Sequence, residues 1–276
     1  MKTSQEIKTI VKEKYSELAV ARTGSCCESG GDDPLSIMSD QYNHLEGYNA
    51  DADLGLGCGL PTEFAQIKKG DIVLDLGSGA GNDCFIARHE TGPEGKVMGV
   101  DFSPEMIQRA RENATKMGYH NMEFREGDLE KLPIDDNSID VIVSNCVLNL
   151  VPNKAQVFKE IYRTLKPGGH FSISDIVLEG DLPEGIESVA EMYAGCVAGA
   201  TQRGDYMEQI KVSGFADITL QKEKPIILPE ELLKDYLSEE VVQNYQNSDL
   251  GIFSITVFGR KPIEAKEDCC EPTCCG

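Results

Sequence analysis

Positive charge is scarce in this 276-residue chain: 26 Lys and Arg stand against 47 Asp and Glu, a formal net charge of −21. Nucleic-acid backbones and anionic membrane surfaces are held through Lys and Arg, so neither is an expected partner. Also lacking is any apolar run near the roughly 18–20 residues needed to span a bilayer. The opening MKTSQEIKTI contains no secretory apolar segment, and no internal repeat is visible. The four histidines, His44, His89, His120 and His170, show no metal-site spacing and are expected on the surface. These absences point to a cytoplasmic globular protein. Its length and its 40% hydrophobic content suit one main domain plus a smaller lobe.

Cysteine, by contrast, is abundant. Ten in a chain of this kind do not read as a disulfide framework; in a reducing compartment they are buried apolar residues, metal ligands or redox thiols. Cys26-Cys27, Cys58, Cys84, Cys146 and Cys196 are dispersed, whereas Cys269-Cys270 and Cys274-Cys275 crowd the C-terminal end. Cys84, inside DCFIARH, reads as core packing.

Apolar strands alternating with helical patterns run from Ile72 onward: IVLDLGSGAG, then a helix Asn82 to His89, KVMGVD, and a helix Pro104 to Met117 capped by Ser103. MEFREGD, IDVIVSN, a helix Asn153 to Leu165, a Pro167-Gly168-Gly169 turn and HFSISDIV follow. Nearly all-apolar strands separated by helices predict an α/β fold, a doubly wound, Rossmann-like, mostly parallel sheet. The expected boundaries are a cofactor-binding domain over 1–177 with an N-terminal helix (Ser4 to Val20) and an α+β substrate lobe over 178–262. That lobe carries helices Ile186 to Ala198, Gly204 to Val212 and Pro229 to Gln246, and strands FADITLQKE and GIFSITVFGR. An acidic, Cys-rich tail, 263–276, lacks apolar anchors and is expected to be flexible.

The stretch Asp75-Leu-Gly-Ser-Gly-Ala-Gly81 carries the first chemistry. Glycines at alternate positions allow a tight strand-to-helix turn and close backbone approach to a ligand. A dinucleotide fingerprint would need its third glycine at Asn82, and the acid at Asp75 suits an ammonium group better than a pyrophosphate. Asp101, ending the second strand, is placed to accept from a ribose diol.

Together with EGDLEKLP (Glu126 to Pro133) and LKPGGHFSISD, these motifs resemble the class I S-adenosylmethionine-dependent methyltransferases over about Ile67 to Val177. The resemblance implies that Asp75, Gly77, Ser78 and Gly79 hold the methionine part of S-adenosylmethionine. Asp101 then takes the ribose, Phe102, Met106, Asp128 and Leu129 surround the adenine, and Asn145 lies near the methyl group.

Cys146 follows Asn145 in SNCVLNLVP, at the expected end of the fourth strand, where it would face a methyl acceptor. Cys58 lies in the glycine loop LGLGCGLP, and Cys196 among small residues in EMYAGCVAGA. These segments resemble a narrower family, the arsenite S-adenosylmethionine methyltransferases, over about Tyr15 to Val257. That resemblance implies that Cys58, Cys146 and Cys196 bind trivalent arsenic, arriving as arsenite or its thiol conjugates. It also implies that Cys27 or its neighbour Cys26 exchanges with Cys58, and that an external reductant of the thioredoxin or glutathione type restores the thiols. The chemistry is coherent, since arsenic(III) is thiophilic and thiolates are soft ligands. The tail pairs Cys269, Cys270, Cys274 and Cys275 lie outside the common pattern; capture of arsenic(III) or of soft metals in general, or a dispensable extension, all suit them. Two other readings stand beside this one: a methyltransferase of a small organic acceptor such as a quinone precursor, and a thiol-rich metal-binding protein.

Overall fold

Branched and leucine side chains fill Ile72–Leu76 (β1), Lys96–Asp101 (β2) and Ile139–Asn145 (β4), and such residues suit a pleated, buried surface. In the computed structural model these strands pair in parallel, with Met122–Glu126 (β3) outside β2 and Leu165–Glu179 (β5) beside β4. The structure describes residues 40–180, 199–227, 238–246 and 250–263, with single residues (6, 8, 9, 11, 12, 15, 16, 230 and 234) from two further helical stretches. With two later strands, Ala216–Pro225 (β7) and Gly251–Arg260 (β8), the order is β3-β2-β1-β4-β5-β8-β7. These two join as antiparallel strands, and the short Thr201–Gln202 (β6) pairs with β5. This is the mostly parallel, helix-flanked α/β sheet expected from the sequence.

Successive residues of a strand face opposite sides, and the two cores follow that alternation. Leu74, Leu76 and Ile142 pack with Val157, Phe158 and Ile161 of helix Lys154–Thr164 (α4) and with Tyr206 and Ile210 of helix Arg203–Val212 (α5). Val73, Val141 and Val143 face the other way, onto Phe85 of helix Asn82–Thr91 (α2) and Met106, Ile107 and Ala110 of helix Pro104–Lys116 (α3). A one-turn helix, Pro61–Phe64 (α1), a 3-10 turn, Leu148–Leu150, and helix Glu239–Gln246 (α6) lie beside these elements. Ser103 and Asn153 cap α3 and α4, their side chains accepting from the amides of Met106 and Gln156.

Three details differ from the sequence expectations. Residues Pro167 to Gly169 belong to β5 rather than to a turn ahead of it, because the amide of Gly168 and the carbonyl of Gly169 pair with Lys261. His170 is buried, not superficial: β8 covers β5 along His170 to Glu179, and the ring Nε2 lies 2.6 Å from the Ala65 carbonyl. The strands after Val177 continue the main sheet through β5–β8 pairing. Helix Ile186 to Ala198, the tail 264–276, Cys26, Cys27 and Cys196 lie outside the described residues. No helix among the described residues is long and apolar enough to cross a membrane.

Candidate active site at the carboxyl ends of the strands

The strand order reverses between β1 and β4, and in open α/β sheets the ligand crevice opens beyond the strand ends at that point. A cleft lies there. Its floor is the turn after β1. The amides of Gly77 and Ser78 donate to the Val100 carbonyl at 2.7 and 3.1 Å, and Gly79 donates to Asp101 Oδ2 at 2.9 Å. Gly77 has φ +69, and a Cβ there would collide with the Val147 side chain. At Gly79 (φ +50) a Cβ would meet nothing within 4 Å, so its backbone borders open space. A side chain is strained at either position, which accounts for glycine in both.

Acidic groups converge on this cleft. Asp75, Asp83 and Asp101 all line it and all are buried. Burial, reinforced by repulsion from Asp83, drives the Asp75 carboxyl well above its ordinary range. Burial also raises Asp83 to about 6 against hydrogen bonds from Tyr42, Asn145 and Thr62. Asp101 is likewise raised by burial to about 6, although the amides of Ser103 and Gly79 donate to it. Clustered carboxylates in low dielectric favour a cationic ligand. S-adenosylmethionine, which carries a sulfonium and an ammonium, suits such a lining, and among the described residues Ser78 Oγ and Asn82 Oδ1 are buried without a hydrogen-bond partner. Gly77, Asp101 and Phe102 extend into an adjoining apolar cavity with Asp128 and Leu129. Lys8 of the N-terminal helical stretch borders that cavity, its Nζ 2.6 Å from Asp128 and 2.7 Å from Glu130.

The thiols meet at the same cleft. Cys146, immediately after β4, takes φ +59, a left-handed conformation unusual for a residue with a side chain, and its amide donates to the Ser174 carbonyl at 2.8 Å. Strain of this kind costs on the order of 1–3 kcal/mol and concentrates at functional sites. Its Sγ is bonded to that of Cys58, from 88 residues earlier, with the Cα atoms 5.7 Å apart. Both are buried, and Cys146 lines the cleft. Cys84 is a free, buried thiol donating to Asp75 Oδ2 at 3.3 Å.

A methyltransferase-domain family model matches residues 67–223. The arsenite methyltransferase of Halobacterium salinarum is 39% identical over 96% of this chain and 68% of its own length. The chain belongs to the arsenite methyltransferase family. The corresponding Aquipseudomonas alcaligenes enzyme is 37% identical over 66% of this chain, which spans only 54% of that protein. Among solved structures, an arsenic(III) S-adenosylmethionine methyltransferase from Chlamydomonas reinhardtii superposes with a TM-score of 0.62 at 31% identity, over 84% of this chain and 74% of its own.

Within this arsenite methyltransferase family member, one cleft gathers Asp75, Gly77, Ser78, Gly79, Asp101, Phe102, Met106, Asn145 and Cys146. Asn145, at the end of β4, lines the cleft and also makes contacts that its motif did not signal. Its Oδ1 accepts from the amides of Cys58 and Gly59 at 3.0 and 3.2 Å, so the side chain holds the Cys58 loop at the cleft edge. Tyr15, Tyr42, Asp53 and Asp83 also line the cleft and were given no role from the sequence. Asp83 had a readable signal, an acid in the first turn of the helix after the glycine loop; Tyr42 had none. Cys58 is expected to exchange with Cys26 or Cys27, outside the described residues; here its partner is Cys146.

Proposed function

We propose that this chain methylates trivalent arsenic, held by the thiolates of Cys58 and Cys146 with Cys196 as third ligand, using S-adenosylmethionine. The observation that carries the reading is the contact between Cys58 and Cys146, two thiols distant in sequence, at the rim of a cleft lined by carboxylates and a glycine turn. Asp75 and Asp83 face the cofactor's ammonium group, Asp101 its ribose, and Phe102, Met106, Asp128 and Leu129 its adenine. When bound, the cofactor supplies an electrophilic methyl carbon.

The thiolates do the rest. Three sulfurs around arsenic(III) leave one lone pair free to attack that carbon, and no proton has to be removed. Catalysis is then mainly positioning, for which a well-aligned pair of reactants is worth up to about 7–11 kcal/mol. Cys58 and Cys146 are buried, so the arsenic sits away from bulk water; ordinary thiols titrate near pH 8.5, so arsenic displaces their protons on binding. Methyl transfer takes arsenic formally from +3 to +5. Two thiolates return it to +3 by giving two electrons and forming a disulfide, and the Cys58–Cys146 bond is such an oxidised pair. An external thiol reductant, one dithiol of the thioredoxin type or two glutathione-type thiols, then supplies two electrons and two protons, with Cys26 or Cys27 as the exchange partner of Cys58.

In this reading residues 1–177 bind the cofactor, 178–262 cover the arsenic, and the thiols of Cys269, Cys270, Cys274 and Cys275 capture arsenic for delivery. Free thiols suit a reducing cytoplasm. Incubation with S-adenosylmethionine, arsenite and a dithiol, followed by arsenic speciation, is expected to yield methylated arsenic. Unmethylated arsenic with intact cofactor binding would reject the reading.

A further inference from the structure

Cys58 lies in a loop, and its backbone is gripped from two sides. Asn145 Oδ1 takes the amides of Cys58 and Gly59, while Ser254 Oγ of β8 donates to the Cys58 carbonyl at 2.5 Å. Asn145 is itself held. Its Nδ2 donates to the Gly59 carbonyl at 2.7 Å, to Asp83 Oδ2 at 3.3 Å and to the Tyr42 hydroxyl. That hydroxyl stands 3.0 Å from both Asp83 Oδ2 and the Gly59 carbonyl. The contacts leave little room: a Cβ on Gly57 would lie 2.7 Å from Asn145 Nδ2, and one on Gly59 would lie 2.5 Å from Ser174 Oγ.

Asp83 is therefore shared between two tasks. Through Tyr42 and Asn145 it fixes the loop that carries Cys58, and the same carboxylate lines the cofactor cleft beside Asp75. Its side-chain hydrogen-bond partners among the described residues, Tyr42, Asn145 and Thr62, are all neutral. A cation seated in the cleft would order the carboxylate and, through it, everything that leans on it.

We propose that Asp83 and Tyr42 are positioning residues that couple the cofactor cleft to the arsenic site, so that filling the cleft sets the Cys58 backbone for arsenic capture. The inference rests on Cys58 holding arsenic. Coupling of this kind is reciprocal: the cofactor tightens arsenic by the same factor by which arsenic tightens the cofactor. It imposes an order on the reaction, because arsenic is gripped firmly only when a methyl donor or its demethylated product is in place. Arsenic arriving at an empty cleft is released again instead of blocking the thiols.

The test is equilibrium dialysis of arsenite against the reduced full-length chain, with and without saturating S-adenosylhomocysteine, which keeps the ammonium group but has no methyl to transfer. Wild type is expected to bind arsenite about tenfold more tightly when it is present. In Tyr42→Phe and Asp83→Asn that ratio falls to about one, and Asp83→Glu recovers part of it. Melting temperatures establish that each variant is folded. If Asp83→Asn does not fold, Tyr42→Phe and Thr62→Val, which removes a donor to the other Asp83 oxygen, report in its place. An equal affinity with and without S-adenosylhomocysteine in wild type, or a full ratio in the folded variants, would overturn the coupling. Cys58→Ser separates the two ideas: if it binds one arsenite fewer per chain than wild type, the arsenic reading stands even where the coupling fails. Absence of wild-type binding overturns both.

Discussion

Asp101 accepts from the amides of Gly79 and Ser103 at 2.9 Å each and stands buried in both cavities of the cleft. Asp101→Ala is expected to weaken S-adenosylmethionine by about 1.5–3 kcal/mol, since two ribose hydroxyls lose a charged acceptor. Arsenite binding without cofactor should be unchanged. Calorimetric titration measures both, and an undiminished cofactor affinity would remove Asp101 from the ribose. The neighbouring acids set a pH dependence. Asp83 and Asp101 are both raised by burial to about 6, so in the empty cleft they keep protons that solvent-exposed carboxylates would have lost. A bound cation favours the charged forms and pulls these values down. Affinity is therefore full above the raised values and lost as pH falls through about 6. At pH 5 the cofactor should bind at least about tenfold more weakly than at pH 7.5; a flat profile would show that Asp83 does not face its charge and that the ionised Asp101 does not hold its ribose. The acid at Asp75 and the glycines after it were legible in the sequence because a turn of that shape admits few other residues. Tyr42 was not: a tyrosine in a loop signals nothing until Asp83 and Asn145 are folded against it.

Among the elements, the parallel strands could be read directly, since segments buried on both faces are nearly continuous apolar runs, as in IVL of β1 and VIV of β4. Helix α3 was legible from its cap. Ser103 Oγ accepts from the Met106 amide at 3.2 Å and Pro104 opens the first turn. Ser103→Ala should cost about 1 kcal/mol and lower the melting temperature by about 2–4 °C for a chain of this size. Cofactor affinity should fall less than in Asp101→Ala, because Met106 keeps its place in the buried core. Thermal denaturation beside the same titration tests this; an unchanged melting temperature would remove the cap from the stability account. The start of β5 and the burial of His170 were hidden for one reason. Both depend on β8, which lies some eighty residues further on and pairs residue by residue from His170–Arg260 to Glu179–Gly251. Local pattern carries no trace of that partner.

Taken as a whole, the molecule builds its site from parts remote in sequence. The loop with Cys58, the end of β4 with Asn145 and Cys146, and Ser254 of β8 converge at one rim. Cysteines dispersed along a chain cannot be seen to meet until a fold is supplied: the resemblance to a family implied a shared arsenic site and an exchange partner for Cys58 at Cys26 or Cys27, while the fold bonds Cys58 to Cys146. The central claim is that these two thiols hold the arsenic that is methylated. Its most direct test is the rate of arsenic methylation by Cys146→Ser, in a reducing dithiol with saturating S-adenosylmethionine, beside its cofactor affinity. Serine keeps the shape but replaces a soft thiolate with a hard hydroxyl. The account predicts methylation at background with cofactor affinity within about twofold of wild type; near-normal methylation by this variant would contradict it.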